Sequence, residues 1–206
     1  MGLRESKIGG MYLSFMDKAV LGWLRKKGLG PNTVTLAGLA IACLVPVGFA
    51  CSPWAGFALI AVSGIADSLD GLLARATQQQ SVFGSFWDST LDRIADCAYL
   101  LGFLILFWPF SGWWRLTAVI IFFVALLGTL LISYTKAKIE SLGQSCHSGF
   151  MSRPARIIYF LAWALLLALI PGAYLEMLWL GLGLYLVLTL FTVGQRIVEA
   201  RNVLAG

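Results

Sequence analysis

The chain has 206 residues, 59% hydrophobic and only 12% charged, a composition that excludes an ordinary soluble domain and identifies an integral membrane protein. Its net charge of +5 comes mostly from residues beside apolar runs, and Trp and Arg are not interleaved into a stacking groove, so anionic lipid rather than nucleic acid is the expected partner. The four cysteines, Cys43, Cys51, Cys97 and Cys146, have no Cys-x-x-Cys or other metal-ligand spacing and read as small apolar residues.

In chain order, polar and basic residues interrupt an apolar pattern between residues 7 and 27, which predicts an amphipathic juxtamembrane helix lying flat in the interface. The run Gly28 to Asn32 breaks it, and Pro31 with Asn32 starts a first span over roughly Thr33 to Cys51, with Pro46 as a kink. A second span from Pro53 to Ala76 turns acidic in its latter half, and a third from Gly84 to Trp108 begins acidic and ends apolar. Further spans are expected over about Leu116 to Tyr134, Arg156 to Pro171 and Glu176 to Thr192. The predicted fold is therefore all-α, with six transmembrane helices over residues 33–200, in a single membrane domain covering 1–206. Six Lys and Arg residues precede the first span, and Arg75, Lys136, Lys138, Arg153, Arg156, Arg196 and Arg201 share its side, while only Arg115 lies opposite. The positive-inside rule then puts both termini and the acidic motif on the cytoplasmic face of the inner membrane.

Five of the ten acidic residues fall between Gly64 and Asp96, against Arg75 and Arg93 as the only cations of that stretch. A carboxylate at the centre of a membrane helix costs roughly 2.5 to 3.5 kcal/mol, so five without compensation would cost on the order of 10 to 15 kcal/mol. Divalent cations held by oxygen ligands are the simplest remedy. Asp67 and Asp70 lie about 60° apart on a helix, and Asp67, Gly71 and Arg75 follow one stripe. Gly71 leaves room for a ligand at the backbone, and Arg75 is placed to meet a phosphate oxygen. Asp88, Asp92 and Asp96 recur every four residues as a second stripe. Joined by the short turn from Thr77 to Ser81, the stripes supply about four converging carboxylates, the set expected for two metals clamping a phosphoryl group. For Asp96, the deepest, a structural role is as good a reading.

The pattern Asp67-x-x-Asp70-Gly71-x-x-Ala74-Arg75, eight residues, then Gly84-x-x-x-Asp88-x-x-x-Asp92 resembles the signature of the CDP-alcohol phosphotransferases at all of its fixed positions. The resemblance implies six membrane helices behind a juxtamembrane helix, and a homodimer. It also implies the reaction, in which an alcohol hydroxyl attacks the β-phosphorus of a CDP-linked lipid, such as CDP-diacylglycerol or a CDP-diether lipid, and CMP leaves. Carried over, it makes Asp67, Asp70, Asp88 and Asp92 ligands of two Mg2+ or Mn2+ ions, with Asp92 also the general base. Gly30, Pro31, Asn32, Thr33, Gly71, Arg75 and Ser81 are similar to the residues that hold the CDP moiety, and capping serves equally for Pro31 and Asn32.

Relatives making phosphatidylglycerol phosphate or cardiolipin carry a different sequence around the last two aspartates, where this chain reads Asp88-Ser89-Thr90-Leu91-Asp92-Arg93. The segments Ser133 to Lys138, Gly149 to Arg156 and Gln195-Arg196 instead look like the prokaryotic phosphatidylinositol-phosphate and archaetidylinositol-phosphate synthases. That resemblance implies that Lys136, Lys138, Arg153 and Arg196 bind the phosphate of inositol 1-phosphate. A set of cations that also includes Arg156 exceeds what an uncharged alcohol requires. The alternatives are the same chemistry with glycerol 3-phosphate, serine or another polyol phosphate, and, outside the class, a cation transporter, whose aspartates would line a pore at mid-bilayer.

Overall fold

The computed structural model describes residues 30–78 and 81–204, together with Gly22, Lys27 and Gly28. The juxtamembrane helix expected over residues 7–27 lies outside the described residues, apart from Gly22 and Lys27. Six α-helices follow, in the order α1 Pro31–Cys51, α2 Pro53–Ala76, α3 Val82–Ile105, α4 Gly112–Ser141, α5 Arg153–Leu169 and α6 Tyr174–Leu204, with a 3₁₀ turn at Pro171–Ala173 before the last. The chain starts α1 at Pro31, where a fixed φ and a missing N–H suit the first turn, after Gly30 in extended backbone. Ser52 and Ser81 open α2 and α3 as caps, their hydroxyls accepting from Ala55 N at 3.1 Å and Gly84 N at 2.9 Å. Pro46 sits inside α1 without ending it.

All six expected helices are present, but only α1, α2, α4 and the segment Pro171–Leu204 containing α6 are long and apolar enough to cross a bilayer by length and composition. The expectation of six such spans is thus met for four. The physical reason lies in the other two. α5 has 17 residues, about 25 Å at 1.5 Å per residue, and α3 carries Asp88, Asp92, Arg93 and Asp96 before its apolar half. Conversely α4, with 30 residues, runs about 45 Å and exceeds a hydrocarbon core of about 30 Å. Its last turns, bearing Lys136 and Lys138, continue past the expected end at Tyr134.

α1 packs against α2 and α3, α2 against α5, and α4 against α6. The centre is aromatic: Phe103 of α3 stacks on Trp163 of α5 at 4.0 Å between centroids, and Phe49 and Phe160 flank Phe103 at 4.6 and 5.7 Å. Lipid is as apolar as these side chains, so close dispersion contact holds the helices. Gly102 permits it, since a Cβ there would stand 2.8 Å from both Phe49 and Val45. Polar groups of the core aromatics find partners, Trp163 Nε1 with Met177 O at 3.0 Å and Tyr159 OH with Gly181 O at 2.7 Å. Toward the aspartates, Tyr99 OH donates to Ser63 Oγ and Ser63 Oγ to Gly38 O, each at 2.8 Å. This chain ties α3 to α2 and α2 to α1 beneath the acidic end.

Candidate active site

The acidic site forms where the end of α2 meets the start of α3. One carboxylate oxygen from each of Asp67, Asp70 and Asp88 lies within 4.8 Å of the others. Asp70 is buried, Asp67 and Asp88 partly so. Asp70 Oδ2 and Asp88 Oδ1 are buried and meet no hydrogen-bond donor among the described residues. Unpaired buried carboxylate oxygens are costly, and an oxygen-ligated divalent cation is the group that would satisfy them. The donor set therefore fits a hard metal ion.

Asp92, the fourth expected ligand, lies one turn beyond that trio and is held differently. Arg153, the first residue of α5, forks between two helices: its Nη1 donates to Asp67 Oδ1 at 2.5 Å and its Nη2 contacts Asp92 Oδ1 at 2.7 Å. Each pair uses one carboxylate oxygen and leaves the other. The cation that balances this part of the motif comes from a residue 86 positions away from Asp67, whereas Arg75 makes no ion pair among the described residues. A small cavity of about 20 Å³, large enough for roughly one water, is enclosed by Asp67, Asp70, Asp92, Arg153, Thr35 and Ser63.

A second cavity, about 300 Å³, opens beside the trio. Pro31, Asn32, Gly71, Arg75 and Ser81 line it, and Asp70 and Asp88 form its edge. Five of the seven residues expected to hold the CDP moiety are thus brought together, while Gly30 and Thr33 do not reach the lining. Gly71 leaves open space, since a Cβ there would meet only the Arg75 guanidinium, at 3.8 and 3.9 Å. Ser81 lines the cavity and caps α3 at once. Thr35 borders both cavities and escaped sequence reasoning. Its signal was the three-residue step from Asn32, which puts both on one helical face.

Of the other basic residues, Lys136 is exposed and 3.7 Å from Glu140. Lys138 is exposed on the same helix end. Arg196 is buried, with Nη1 donating to Ile132 O of α4 and Nε to Ser148 O of the loop before α5 at 3.3 Å. It joins the three basic segments, yet does not touch an aspartate among the described residues. Arg156 is buried against Asp96 at 2.6 Å, with side chains 3% and 2% exposed, and its Nη1 donates to Met151 O at 3.0 Å. Asp96 is therefore a structural ion-pair partner. In the loop, burial and the hydrogen-bonding Glu199 carboxylate push the Cys146 thiol above its usual range.

The sequence model described as CDP-alcohol phosphatidyltransferase matches residues 29–192. The archaetidylinositol phosphate synthase of Methanothermobacter thermautotrophicus is 41% identical over 138 residues, 66% of this chain and 67% of that one. That of Pyrococcus horikoshii is 33% identical over 184 residues, 87% of each. Among solved structures, phosphatidylinositol phosphate synthase of Mycobacterium tuberculosis with CDP-DAG bound superposes with a TM-score of 0.76 at 29% identity, covering 88% of this chain and 92% of that one. The same enzyme in complex with manganese and citrate gives 0.76 at 30% identity, over 88% and 87%.

Proposed function

Because the chain belongs to the CDP-alcohol phosphatidyltransferase family, we propose that it transfers the phosphatidyl-type group of a CDP-linked lipid to a hydroxyl of inositol 1-phosphate and releases CMP. One observation carries the reading: the 300 Å³ cavity lined by Asn32, Gly71, Arg75 and Ser81 opens directly on Asp70 and Asp88, two of the three clustered carboxylates. A nucleotide seated there has its phosphates at the acidic trio and an arginine at its flank. The names of the inositol-phosphate relatives, and the CDP-DAG held by the mycobacterial structure, support both substrates.

In the reaction the acceptor oxygen bonds to the lipid-bearing phosphorus, the bond from that phosphorus to the CMP oxygen breaks, and the hydroxyl proton goes to a carboxylate. Asp92 is that base, oriented by Arg153 through one oxygen and left with the other. Asp67, Asp70, Asp88 and Asp92 would hold Mg2+ or Mn2+, two per site, supported by the unpaired oxygens of Asp70 and Asp88 and by the manganese in the relative. When bound, the metal supplies charge neutralisation at the phosphoryl group and a lowered pKa for the acceptor hydroxyl. Gly30, Pro31, Asn32, Thr33, Gly71, Arg75 and Ser81 bind the CDP moiety, the two outside the cavity wall setting the start of α1. Lys136, Lys138, Arg153 and Arg196 bind the acceptor phosphate. Arg196 keeps Nη2 for that purpose after its contacts to Ile132 and Ser148.

The same reading takes all six helices as spans of a single domain over 1–206, behind the juxtamembrane helix of 7–27. The count of Lys and Arg orients the site and both termini toward the cytoplasm, and the family supports a homodimer. The test is CMP release and mass spectrometry of the lipid product, with CDP-diacylglycerol, Mn2+ and a panel of alcohols. Product with inositol 1-phosphate is expected. Product with serine or glycerol 3-phosphate but none with inositol 1-phosphate would sink the acceptor assignment.

A further inference from the structure

We infer that Glu199, near the end of α6 and far in sequence from the acidic motif, is a positioning residue for the acceptor half of the site, acting through the loop between α4 and α5. The inference rests on the acceptor reading above and adds to it a residue outside the family's signature. Residues 142–152 contain no helix or strand, so their backbone groups need partners from elsewhere. Leu142 to Gln144 bond back to the last turn of α4, and for His147, Ser148, Phe150 and Met151 the partners come from one face of α6. Glu199 accepts from His147 N at 2.9 Å, from Ser148 N at 3.1 and 3.3 Å, from Ser148 Oγ at 2.5 Å and from Cys146 Sγ at 3.1 Å. Gln195 Oε1 accepts from Phe150 N at 3.2 Å, and Thr192 Oγ1 from Met151 N at 3.1 Å. Thr192, Gln195, Arg196 and Glu199 follow the 3-4-7 spacing of a single helical stripe.

Glu199 is the only carboxylate in this clasp and takes the largest share of its bonds, and charge-assisted hydrogen bonds are about twice as strong as neutral ones. The loop it fastens ends at Ser152, and the next residue is Arg153, whose fork joins Asp67 to Asp92. Between them Gly149, at φ +127°, lies over Arg196, where a Cβ would stand 2.9 Å from Nε. The loop therefore fits the α6 stripe at a single register, and that register sets where α5 begins. The nucleotide cavity is built from α1, α2 and α3 and has no α6 residue in its wall. Loosening the clasp should thus disturb the acceptor and leave the donor alone.

The test is steady-state kinetics of Glu199→Ala and Glu199→Gln, each substrate varied in turn, with the acceptor that wild-type protein uses best. Glu199→Ala should raise the acceptor KM about tenfold, the scale of one lost hydrogen bond to a charged group. The KM for CDP-diacylglycerol should stay within about twofold, since no donor contact is lost. Glu199→Gln keeps one acceptor oxygen and should fall between. It also replaces the alanine variant if that one does not fold. Amide hydrogen exchange at residues 147–151 should quicken in parallel. An unchanged acceptor KM, both KM values rising together, or a fall in kcat alone would overturn the inference while wild-type activity left the acceptor reading intact. Wild-type protein inactive with every acceptor would instead overturn that reading and this inference with it.

Discussion

Replacing Asp96 separates structural from chemical carboxylates in a motif where all five look alike. Asp96 and Arg156 are 2% and 3% exposed and 2.6 Å apart. In Asp96→Ala the guanidinium keeps only Met151 O as a partner. Removing one member of a buried ion pair costs about 3 to 5 kcal/mol, which for a domain of this size lowers the unfolding temperature by about 6 to 20 °C. Asp96→Leu with Arg156→Met should recover part of that loss, because both charges then leave the interior together. It should not recover all of it, since Met151 O loses its donor, at about 1 to 3 kcal/mol. The assay is thermal unfolding of purified protein in detergent, with CMP release measured below every midpoint. Asp92→Asn is the contrast: it should unfold near the wild-type temperature while CMP release falls at least about 100-fold. If Asp96→Ala kept the wild-type unfolding temperature but lost CMP release as Asp92→Asn does, Asp96 would belong with the reacting groups and the structural assignment would be wrong.

Three further outcomes follow from the site. Arg75→Ala removes the cation of the cavity proposed for the nucleotide, and the KM for the CDP-lipid should rise about tenfold, as for a lost hydrogen bond to a charged group, with the acceptor KM unmoved; the reverse pattern would misplace the donor. Asp70→Asn takes charge from the clustered trio, so the stabilisation by Mn2+ of wild-type protein, about 2.7 kcal/mol at 100 times its Kd, should largely vanish, as read by unfolding temperature without any substrate. The Cys146 thiol, pushed up by burial and by Glu199, stays neutral until the pH passes the usual thiol range. Its alkylation, followed by mass spectrometry of the loop peptide, should therefore still be climbing beyond the pH range where an ordinary thiol has levelled off. Glu199→Gln should move that rise to lower pH, and an identical profile in the variant would exclude the carboxylate as a cause.

The signature residues were legible because helical spacing alone puts Asp67, Asp70, Gly71 and Arg75 on neighbouring stripes and a short turn brings Asp88 beside them. Pro31 and Asn32 reach the cavity beside them because they start α1 at the same end, while its assignment to a CDP moiety rests on the family resemblance. What spacing could not give is pairing across distance. Nothing local indicates that Asp92 meets Arg153 while Asp96 meets Arg156, although both arginines lie on one turn of α5 and both aspartates on one turn of α3. The choice depends on the rotation of α5 against α3, set by contacts such as Phe103 on Trp163. The expected apolar spans end at Tyr134 and Thr192, and backbone hydrogen bonding carries α4 on to Ser141 and α6 on to Leu204. Those extra turns bear Lys136, Lys138, Arg196 and Glu199.

The two halves of the site are therefore built by different means. The cavity proposed for the donor is local, walled by three consecutive helices that the Ser81 cap and, deeper in, the Tyr99–Ser63–Gly38 chain of hydrogen bonds tie together. The side proposed for the acceptor comes from the far ends of α4 and α6 and an irregular loop, held by side chains that reach for backbone groups. Transfer between two bound substrates depends on their reacting atoms meeting at near-contact distance, where a displacement of about 1 Å can cost a hundredfold in rate. Arg153 is where the two halves are pinned, since its single guanidinium grips one carboxylate of α2 and one of α3 from the first turn of α5. On the proposed reading, changes in the loop and the ends of α4 and α6 would alter the acceptor and spare the donor, so long as the helix that begins at Arg153 still starts in the same place.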